Sequence, residues 1–200
     1  MNDGILMAAH LEAKPFIESK HFNPIEDKPF PVYKYETHYL IISGIGKINA
    51  SAASTYLMTK FKIDSMYNIG SAGAATENFM LGDILHINSV IDYSKVLNIK
   101  SELKPLKPDT LSNYKTESLA TCDLPIISAE DRAAVGQRAS LIDMEGSAFV
   151  HACKIFKTKN YLFKIITDTP ANITGEEIIM NIRNTRDLLY QFFMDNFLKK

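Results

Sequence analysis

Short apolar runs alternate along this chain with longer segments whose apolar residues recur at helical spacing. Four runs have the length of buried strands, at residues 4–8, 66–69, 84–91 and 161–166. Residues 47–61 and the stretch from Thr174 to about Phe197 have the period of amphipathic helices. Strands that alternate with helices are typical of α/β folds, so the pattern predicts one α/β domain over residues 1–200.

Weaker signals fill the gaps between these segments. A helix is predicted to begin near residue 11, and a hairpin is predicted around Thr37-His38. Gly70-Ser-Ala-Gly73 is interpreted as a turn that ends the strand before it. Residues 92–125 are polar and proline-containing, and they are interpreted mainly as a loop. Ser128 and Asp131 indicate a capped helix, followed by a strand at 140–142 and a helix at 145–156.

Several residues that could suggest a ligand have a simpler structural interpretation. His86 lies in an apolar strand and Cys153 on an apolar helix, so both are expected to pack in the core. The last helix carries an apolar stripe that is interpreted as its core face. The stripe consists of Ile178, Ile179, Ile182, Leu188, Leu189, Phe192 and Phe193.

Composition excludes several classes of function. The 22 basic and 23 acidic residues give a net charge of -1, so neither nucleic acid nor an anionic membrane is expected as a partner. The five histidines and two cysteines lack metal-ligand spacing, and neither a metal site nor a cofactor is expected. Two cysteines cannot form a disulfide framework, and the N-terminus lacks a signal-peptide pattern, which favours a reducing, cytoplasmic location. A small-molecule substrate is therefore the preferred expectation.

Two carboxylates follow predicted strands and carry the strongest functional signal. Glu145 comes after Leu141-Ile-Asp143, and Asp168 ends the run Phe163-Lys-Ile-Ile-Thr. Because strand carboxyl ends line the ligand crevice of an open α/β sheet, both are candidate site residues. Glu12 lies at the first strand-helix junction, where it could also be an ordinary first-turn acid stabilised by the helix dipole.

Glycine-rich turns offer a second signal. Gly44-Ile-Gly-Lys47 is not a phosphate loop, because Ile41 and Ile48 replace the glycine and hydroxyl residues that such a loop needs. At Gly70-Ser-Ala-Gly73, backbone amides and the Ser71 hydroxyl could hold a ribose oxygen or a water molecule. A purely structural turn is an equally good interpretation of those four residues on their own.

Taken in order, five motifs resemble the nucleoside phosphorylase superfamily, and most closely the methylthioadenosine/S-adenosylhomocysteine nucleosidases and related purine-nucleoside hydrolases. The motifs are Ser43-Gly-Ile-Gly-Lys-Ile-Asn-Ala50, Asn68-Ile-Gly-Ser-Ala-Gly73, Leu81-Gly-Asp83, Asp143-Met-Glu-Gly-Ser-Ala148 and Ile166-Thr-Asp168. They cover most of the chain apart from about residues 92–127. The resemblance implies a single domain with a mixed, partly barrel-like central sheet flanked by helices. It also implies a homodimer or larger homo-oligomer.

The resemblance assigns a role to each matching residue. It implies that Glu12 activates water, Glu145 binds the ribose hydroxyls and Asp168 contacts the purine. Ser71 matches a serine beside the ribose and water, and Met144 matches a methionine packed against the sugar. Cleaving the glycosidic bond leaves positive charge on ribose and negative charge on the base, so an ionised Glu145 and a protonated Asp168 would suit this chemistry.

Two further candidates complete the predicted substrate-binding set. Gly73 belongs to the same turn as Ser71, and Lys164 stands where the nucleosidases usually carry an arginine. A lysine is a point charge that can orient Glu12 or water, but it lacks the planar fork of a guanidinium.

Water is the favoured nucleophile, although two alternatives remain open. Phosphate is usually held by arginines, and none of Arg132, Arg138, Arg183 and Arg186 lies in the N-terminal or glycine-turn motifs. The sequence therefore favours hydrolysis over phosphorolysis. The resemblance implies that the substrate is a purine nucleoside that is adenine-type and 5'-modified. Lys164 and a short segment before Asp143 also motivate a third hypothesis, a nucleoside-binding protein without catalysis.

Overall fold

The computed structural model describes residues 1–96, 104–171 and 174–198. The strands are β1 (Asp3–Met7), β2 (Asn23–Glu26), β3 (Val32–Tyr35), β4 (His38–Ile42), β5 (Ser65–Ala74), β6 (Ile84–Asp92), β7 (Thr116–Thr121), β8 (Leu141–Asp143) and β9 (Lys159–Asp168). The helices are α1 (His10–Glu18), α2 (Lys47–Phe61), α3 (Tyr93–Val96), α4 (Ala129–Gly136), α5 (Gly146–Phe156) and α6 (Gly175–Phe193), which continues into a π-helical turn over Met194–Leu198. None of the described helices is both long and apolar enough to cross a membrane.

A mixed central sheet organises the fold. Its strands lie in the order β2-β3-β4-β1-β5-β8-β7-β6-β9, and β9 also pairs with β5. That additional pairing closes β5, β8, β7, β6 and β9 into a ring, which makes half of the sheet barrel-like. The fold class predicted from the sequence is thus confirmed.

Two layers of helices cover the sheet. On one side α2 and α5 pack together, with Leu57 and Phe149 fully buried in the core beneath them. On the other side α1 and α6 pack together over Phe16 and Phe193. Three small residues of α2, Ala50, Ala53 and Ser54, are buried, which allows the close approach that its alanine-rich sequence predicts.

The long parallel pair β5 and β9 sets the position of the candidate residues. Gly70 is paired with Lys164 and Ser71 with Ile165. The register then shifts by one residue, so that Gly73 is paired with Asp168. The parallel pairing therefore places Ser71, Gly73 and Asp168 at the same end of the sheet, and the register shift sets Asp168 opposite Gly73.

The structure corrects several sequence predictions. Gly70-Ser-Ala-Gly73 is not a turn but the last part of β5, because pairing with β9 supplies hydrogen bonds that offset the poor strand propensity of glycine. Strand β7 lies in the segment interpreted as a loop, and β2 was not predicted. The hairpin has its turn at Glu36-Thr37, one residue earlier than expected. Residues 97–103 of the predicted loop lie outside the described residues.

Candidate active site

The candidate residues meet at one cavity of about 750 Å³. It lies where β1, β5 and β9 end, as strand direction predicts. Six of the seven predicted site residues line it, namely Glu12, Ser71, Gly73, Met144, Glu145 and Asp168. Lys164 does not line the cavity, and its side chain is only 1% exposed behind the wall.

Glu12 is held by both of its carboxylate oxygens. Oε1 accepts hydrogen bonds from the backbone N–H of Ser71 at 2.7 Å and from the Ser71 hydroxyl at 2.5 Å. Oε2 accepts a longer bond, 3.2 Å, from the backbone N–H of Ala9 at the start of α1. Glu12 is therefore a first-turn acid that also faces the cavity, so the two interpretations of this residue are compatible.

Glycines in β5 make room for the two acids. A Cβ atom at Gly70 would lie 3.1 Å from Oε1 of Glu12, and one at Gly73 would overlap Oδ2 of Asp168. Each carboxylate therefore reaches the strand surface only where a side chain is missing. These glycines allow the carboxylates to approach the β5 backbone closely. They do not form the turn that was predicted from them.

Glu145 ends the segment after β8 and lies directly before α5. Its Oε1 accepts a hydrogen bond of 2.7 Å from the backbone N–H of Gly46, in the glycine-rich segment before α2. Burial, together with the negative charge of Asp143, raises the pKa of Glu145 to about 7, although Lys164 and the Gly46 hydrogen bond oppose this shift. The carboxyl group is therefore balanced between its charged and neutral forms near neutral pH, whereas the predicted role in binding ribose requires the charged form.

A buried ion pair between Lys164 and Asp143 lies close to Glu145. The ammonium of Lys164 lies 2.9 Å from Oδ2 of Asp143, and both side chains are 1% exposed. Asp143 also accepts hydrogen bonds from the Thr121 hydroxyl and from the Gly146 backbone. Burial alone would lower the pKa of Lys164, but the nearby carboxylates, with Asp143 foremost, outweigh it and raise the pKa. Lys164 thus provides positive charge behind the acidic site.

Asp168 forms an ion pair that the sequence did not reveal. A terminal nitrogen of Arg132, Nη2, makes a short contact with Oδ2 of Asp168, and the Thr167 hydroxyl donates to Oδ1 at 3.0 Å. Both members of the ion pair are almost fully buried. Because arginine is a permanent cation, this pairing places a positive charge directly beside Asp168.

Arg132 belongs to α4, where the sequence suggested only a capped helix. Ser128 does cap that helix, since its hydroxyl accepts from the Asp131 backbone N–H. Arg132 and Val135 are the buried residues of α4, and their spacing of three places them on one face. An arginine that shares the apolar face of a helix is the one sequence signal that could have identified it.

Aliphatic side chains form the remaining walls of the cavity. Leu124, Ile126 and Ile127 line one part of it, in the segment between β7 and α4. The first turns of α6 also contribute, because Ile178, Ile179 and Ile182 line the cavity. The prediction that the whole apolar stripe of α6 faces the core is therefore wrong. Farther along α6, Leu189 and Phe193 do belong to the core, whereas Leu188 is exposed, contrary to the prediction. None of the described lining residues is aromatic.

The fold has close counterparts among solved structures. The Helicobacter pylori 5'-methylthioadenosine/S-adenosylhomocysteine nucleosidase superposes with a TM-score of 0.85 over 98% of this chain and 97% of that chain, at 18% identity. The futalosine hydrolase of the same organism gives a TM-score of 0.84 over 96% and 95%, also at 18% identity. At such low identity these likenesses concern the fold.

Sequence comparison identifies the family. A 5'-methylthioadenosine/S-adenosylhomocysteine nucleosidase of Staphylococcus epidermidis is 29% identical over an alignment of 165 positions, which covers 68% of this chain and 72% of that protein. The sequence profile of the phosphorylase superfamily matches residues 3–117, more than half of the chain. The chain therefore belongs to the phosphorylase superfamily.

Proposed function

We propose that this protein is a purine nucleosidase, which hydrolyses the N-glycosidic bond of an adenine-type, 5'-modified nucleoside and releases the free base and the sugar. The observation that carries the proposal is the arrangement of Glu12, Glu145 and Asp168 around one cavity. Relatives in sequence and fold bear the names of nucleosidases with such substrates.

Glu12 is the general base in this proposal. Oε2 has one long hydrogen bond, so it retains acceptor capacity for a proton of the attacking water. Ser71 holds the other oxygen and fixes the direction of the carboxylate. Water attacks C1', its proton passes to Glu12, and the electron pair of the C1'–N9 bond leaves with the base, which takes up a proton from solvent to become the free base.

Glu145 and Asp168 serve the two ends of the breaking bond. An ionised Glu145 accepts the ribose hydroxyls and opposes the positive charge that develops on the sugar. Met144, which lines the same cavity, packs against the sugar. At the other end, Asp168 and Arg132 contact the purine, and the guanidinium opposes the negative charge on the departing base.

Charge inside the cavity favours water over phosphate as the nucleophile. Arg132 is the only lysine or arginine among the described lining residues, and it is paired with Asp168. The same lining contains three further acidic residues besides the buried Asp143, namely Glu12, Glu145 and Asp168. A phosphate dianion would face repulsion there without a free guanidinium to hold it.

Lys164 acts in this proposal as a positioning residue. Its ammonium is bonded to Asp143 and interacts electrostatically with Glu145 and Glu12. It therefore limits the mutual repulsion of these carboxylates without reaching the substrate itself.

The test is a chromatographic screen for base release. Methylthioadenosine, S-adenosylhomocysteine, 5'-deoxyadenosine, aminofutalosine and inosine are each incubated with the protein, with and without phosphate. We expect adenine release from a 5'-modified adenine nucleoside at the same rate in both conditions. Strict dependence on phosphate would indicate a phosphorylase, and saturable binding without release would indicate a binding protein.

A homodimer is part of the proposal. Ile48 is 86% exposed and Ile45 is 59% exposed, on either side of Gly46 and Lys47. Exposed apolar residues at such positions favour burial against a second copy beside the cavity. Light scattering should show a dimer for the native protein and a monomer for Ile48→Asp, and a native monomer would refute this part.

A cytoplasmic location and a role in methionine salvage complete the proposal. Cys122 and Cys153 are both free and buried, which fits a reducing compartment. The salvage role depends on methylthioadenosine being the preferred substrate in the screen above.

A further inference from the structure

We propose that Thr121 is a positioning residue for the ribose end of the site, because its hydroxyl caps helix α5 in place of Glu145 and so leaves the Glu145 carboxylate available to bind the sugar. The inference rests on the proposed function, since it assumes that Glu145 accepts the ribose hydroxyls. Thr121 ends β7, is fully buried and is not among the residues that line the cavity. It therefore acts on the substrate only through Glu145.

Glu145 occupies the N-cap position of α5, but its side chain does not cap the helix. Its backbone carbonyl accepts the first helical hydrogen bond, from the Phe149 N–H at 3.0 Å, as that of an N-cap residue does. An N-cap side chain ordinarily accepts from one of the first backbone N–H groups of its helix. The Glu145 side chain makes no such bond, and its Oε1 instead accepts from the Gly46 N–H at 2.7 Å. Other groups must therefore satisfy the start of α5.

Asp143 and Thr121 satisfy the first two amides of α5. The N–H of Gly146 donates to Oδ2 of Asp143 at 2.8 Å, and the N–H of Ser147 donates to the Thr121 hydroxyl at 2.8 Å. The Thr121 hydroxyl in turn donates a hydrogen bond of 2.7 Å to Oδ1 of Asp143. A backbone N–H can only donate, so the single proton of this hydroxyl must point to Asp143. Thr121 thus joins a helix amide to the carboxylate that precedes the helix.

The pairing of β7 with β8 builds this arrangement into the fold. Thr121 and Asp143 are register partners at the ends of these two parallel strands. Gly146 leaves room for the carboxylate, since a Cβ atom there would lie 3.0 Å from Oδ2 of Asp143 and 2.6 Å from a methyl carbon of Leu119. The ammonium of Lys164 also holds Asp143, at 2.9 Å. Because the Thr121 side chain is uncharged, it can be changed without altering the buried ion pair.

Loss of the Thr121 hydroxyl would give the Glu145 carboxylate a competing partner. The buried N–H of Ser147 would lose its acceptor, and an unpaired buried amide is unfavourable. The side chain of the N-cap residue is the acceptor that helices ordinarily use for this amide, so Glu145 would turn toward α5. A carboxylate bonded to the helix is less available to the ribose hydroxyls. The substrate should therefore lose interactions at the sugar and keep its contacts at the base.

The experiment compares kcat/KM for 5'-methylthioadenosine and 2'-deoxy-5'-methylthioadenosine, which differ only in one sugar hydroxyl. We expect Thr121→Val, a substitution of similar size, to lower the ribo-to-deoxy ratio by about tenfold, the loss of one hydrogen bond to a charged group. Thr121→Ser keeps the hydroxyl and should retain the ratio. Thr116→Val is the matched control at the other end of β7, where the hydroxyl accepts from the exposed side chain of Asn88, and it should leave the ratio unchanged.

A purely structural role for Thr121 predicts a different result. Both substrates would then lose activity in parallel, and an unchanged ratio in a folded Thr121→Val variant would overturn the proposal. If that variant does not fold, Thr121→Ala removes the hydroxyl without placing a methyl group in its position. The ratio should again fall in Thr121→Ala, and an unchanged ratio would also overturn the proposal.

Ligand binding separates this inference from the proposed function. Calorimetry in the Glu12→Gln background, with and without Thr121→Val, compares the same two nucleosides without relying on turnover. A protein that releases no base from any nucleoside, but binds the ribose form more tightly in a Thr121-dependent way, would refute the nucleosidase and support the role of Thr121. Base release, together with relative binding of the two forms that does not depend on the Thr121 hydroxyl, would support the nucleosidase and refute the role of Thr121.

Discussion

Ser71 donates two hydrogen bonds to a single oxygen of Glu12, one from its backbone and one from its hydroxyl. The backbone bond follows from the path of β5, so any residue at position 71 other than proline can make it. The hydroxyl bond depends on the serine side chain. Substitution at this position therefore changes the orientation of Glu12 without removing its carboxylate.

Ser71→Ala should lower kcat by about ten- to a hundredfold, which corresponds to the loss of one hydrogen bond to a charged group. KM should change little, because the substrate keeps its contacts with Glu145 and Asp168. Steady-state kinetics measure both values, with Ser112→Ala at an exposed loop serine as the control. Native kcat in Ser71→Ala would show that the hydroxyl does not position the base.

Activity should rise with pH as Glu145 ionises. Its pKa is raised to about 7 by burial and by Asp143, and binding of the ribose hydroxyls requires the carboxylate. We expect kcat/KM to increase through about pH 7 and then level off. Glu145→Gln should be much less active and should lose this acidic limb. If the acidic limb of the kcat/KM profile remained in Glu145→Gln, the titrating group would be a residue other than Glu145.

Activity should rise with pH as Glu145 ionises, but the contribution of Glu145 to folding stability should fall with pH. The native pKa of about 7 exceeds the ordinary value of 4.5, so the native state binds more protons than the unfolded state between these values. The contribution of Glu145 to stability is complete below pH 4.5 and is lost as pH rises through 7. Glutamine does not titrate, so the free energy of unfolding of Glu145→Gln should rise relative to that of the native protein as pH increases. In urea unfolding we expect this relative change to reach up to about 3 kcal/mol between pH 4.5 and 8. A difference that does not change with pH would contradict the raised pKa.

Lys164→Met should be strongly destabilising, because it leaves Asp143 buried without its cation. Breaking a buried ion pair on one side costs about 3–5 kcal/mol. The double variant Lys164→Met with Asp143→Asn should recover part of this loss in urea unfolding. Lys14→Met removes an exposed pair with Glu18 and serves as the control, with a change below about 1 kcal/mol. Equal effects of the two lysine substitutions would refute a supporting role for the buried pair.

The local parts of the fold could be predicted from the sequence. Helix α2 has the predicted bounds Lys47–Phe61, because its apolar spacing and the glycine before it are local signals. Thr174 and Glu177 form the predicted capping box at the start of α6. Glu12 and Asp168 could be located from strand direction, since β1 and β9 run parallel to β5 and end at the same cavity. The same argument does not explain Glu145, because β8 runs antiparallel to β5.

The features that sequence reasoning missed depend on contacts between distant segments. Gly70 and Gly73 favour a turn locally, but pairing with β9 keeps them in a strand. Strand β7 has weak local signals and is stabilised by its neighbours β6 and β8. The pairing of Arg132 with Asp168 joins two elements whose proximity no local pattern reports. This contact places a positive charge beside Asp168 in the cavity.

The central claim is hydrolysis with Glu12 as the general base. The most direct measurement is mass spectrometry of the sugar product from methylthioadenosine in the presence of phosphate, for the native protein and for Glu12→Gln. The account predicts the free 5-methylthio sugar from the native protein, and loss of this product in Glu12→Gln. A sugar 1-phosphate, or free sugar formed equally fast by Glu12→Gln, would contradict it.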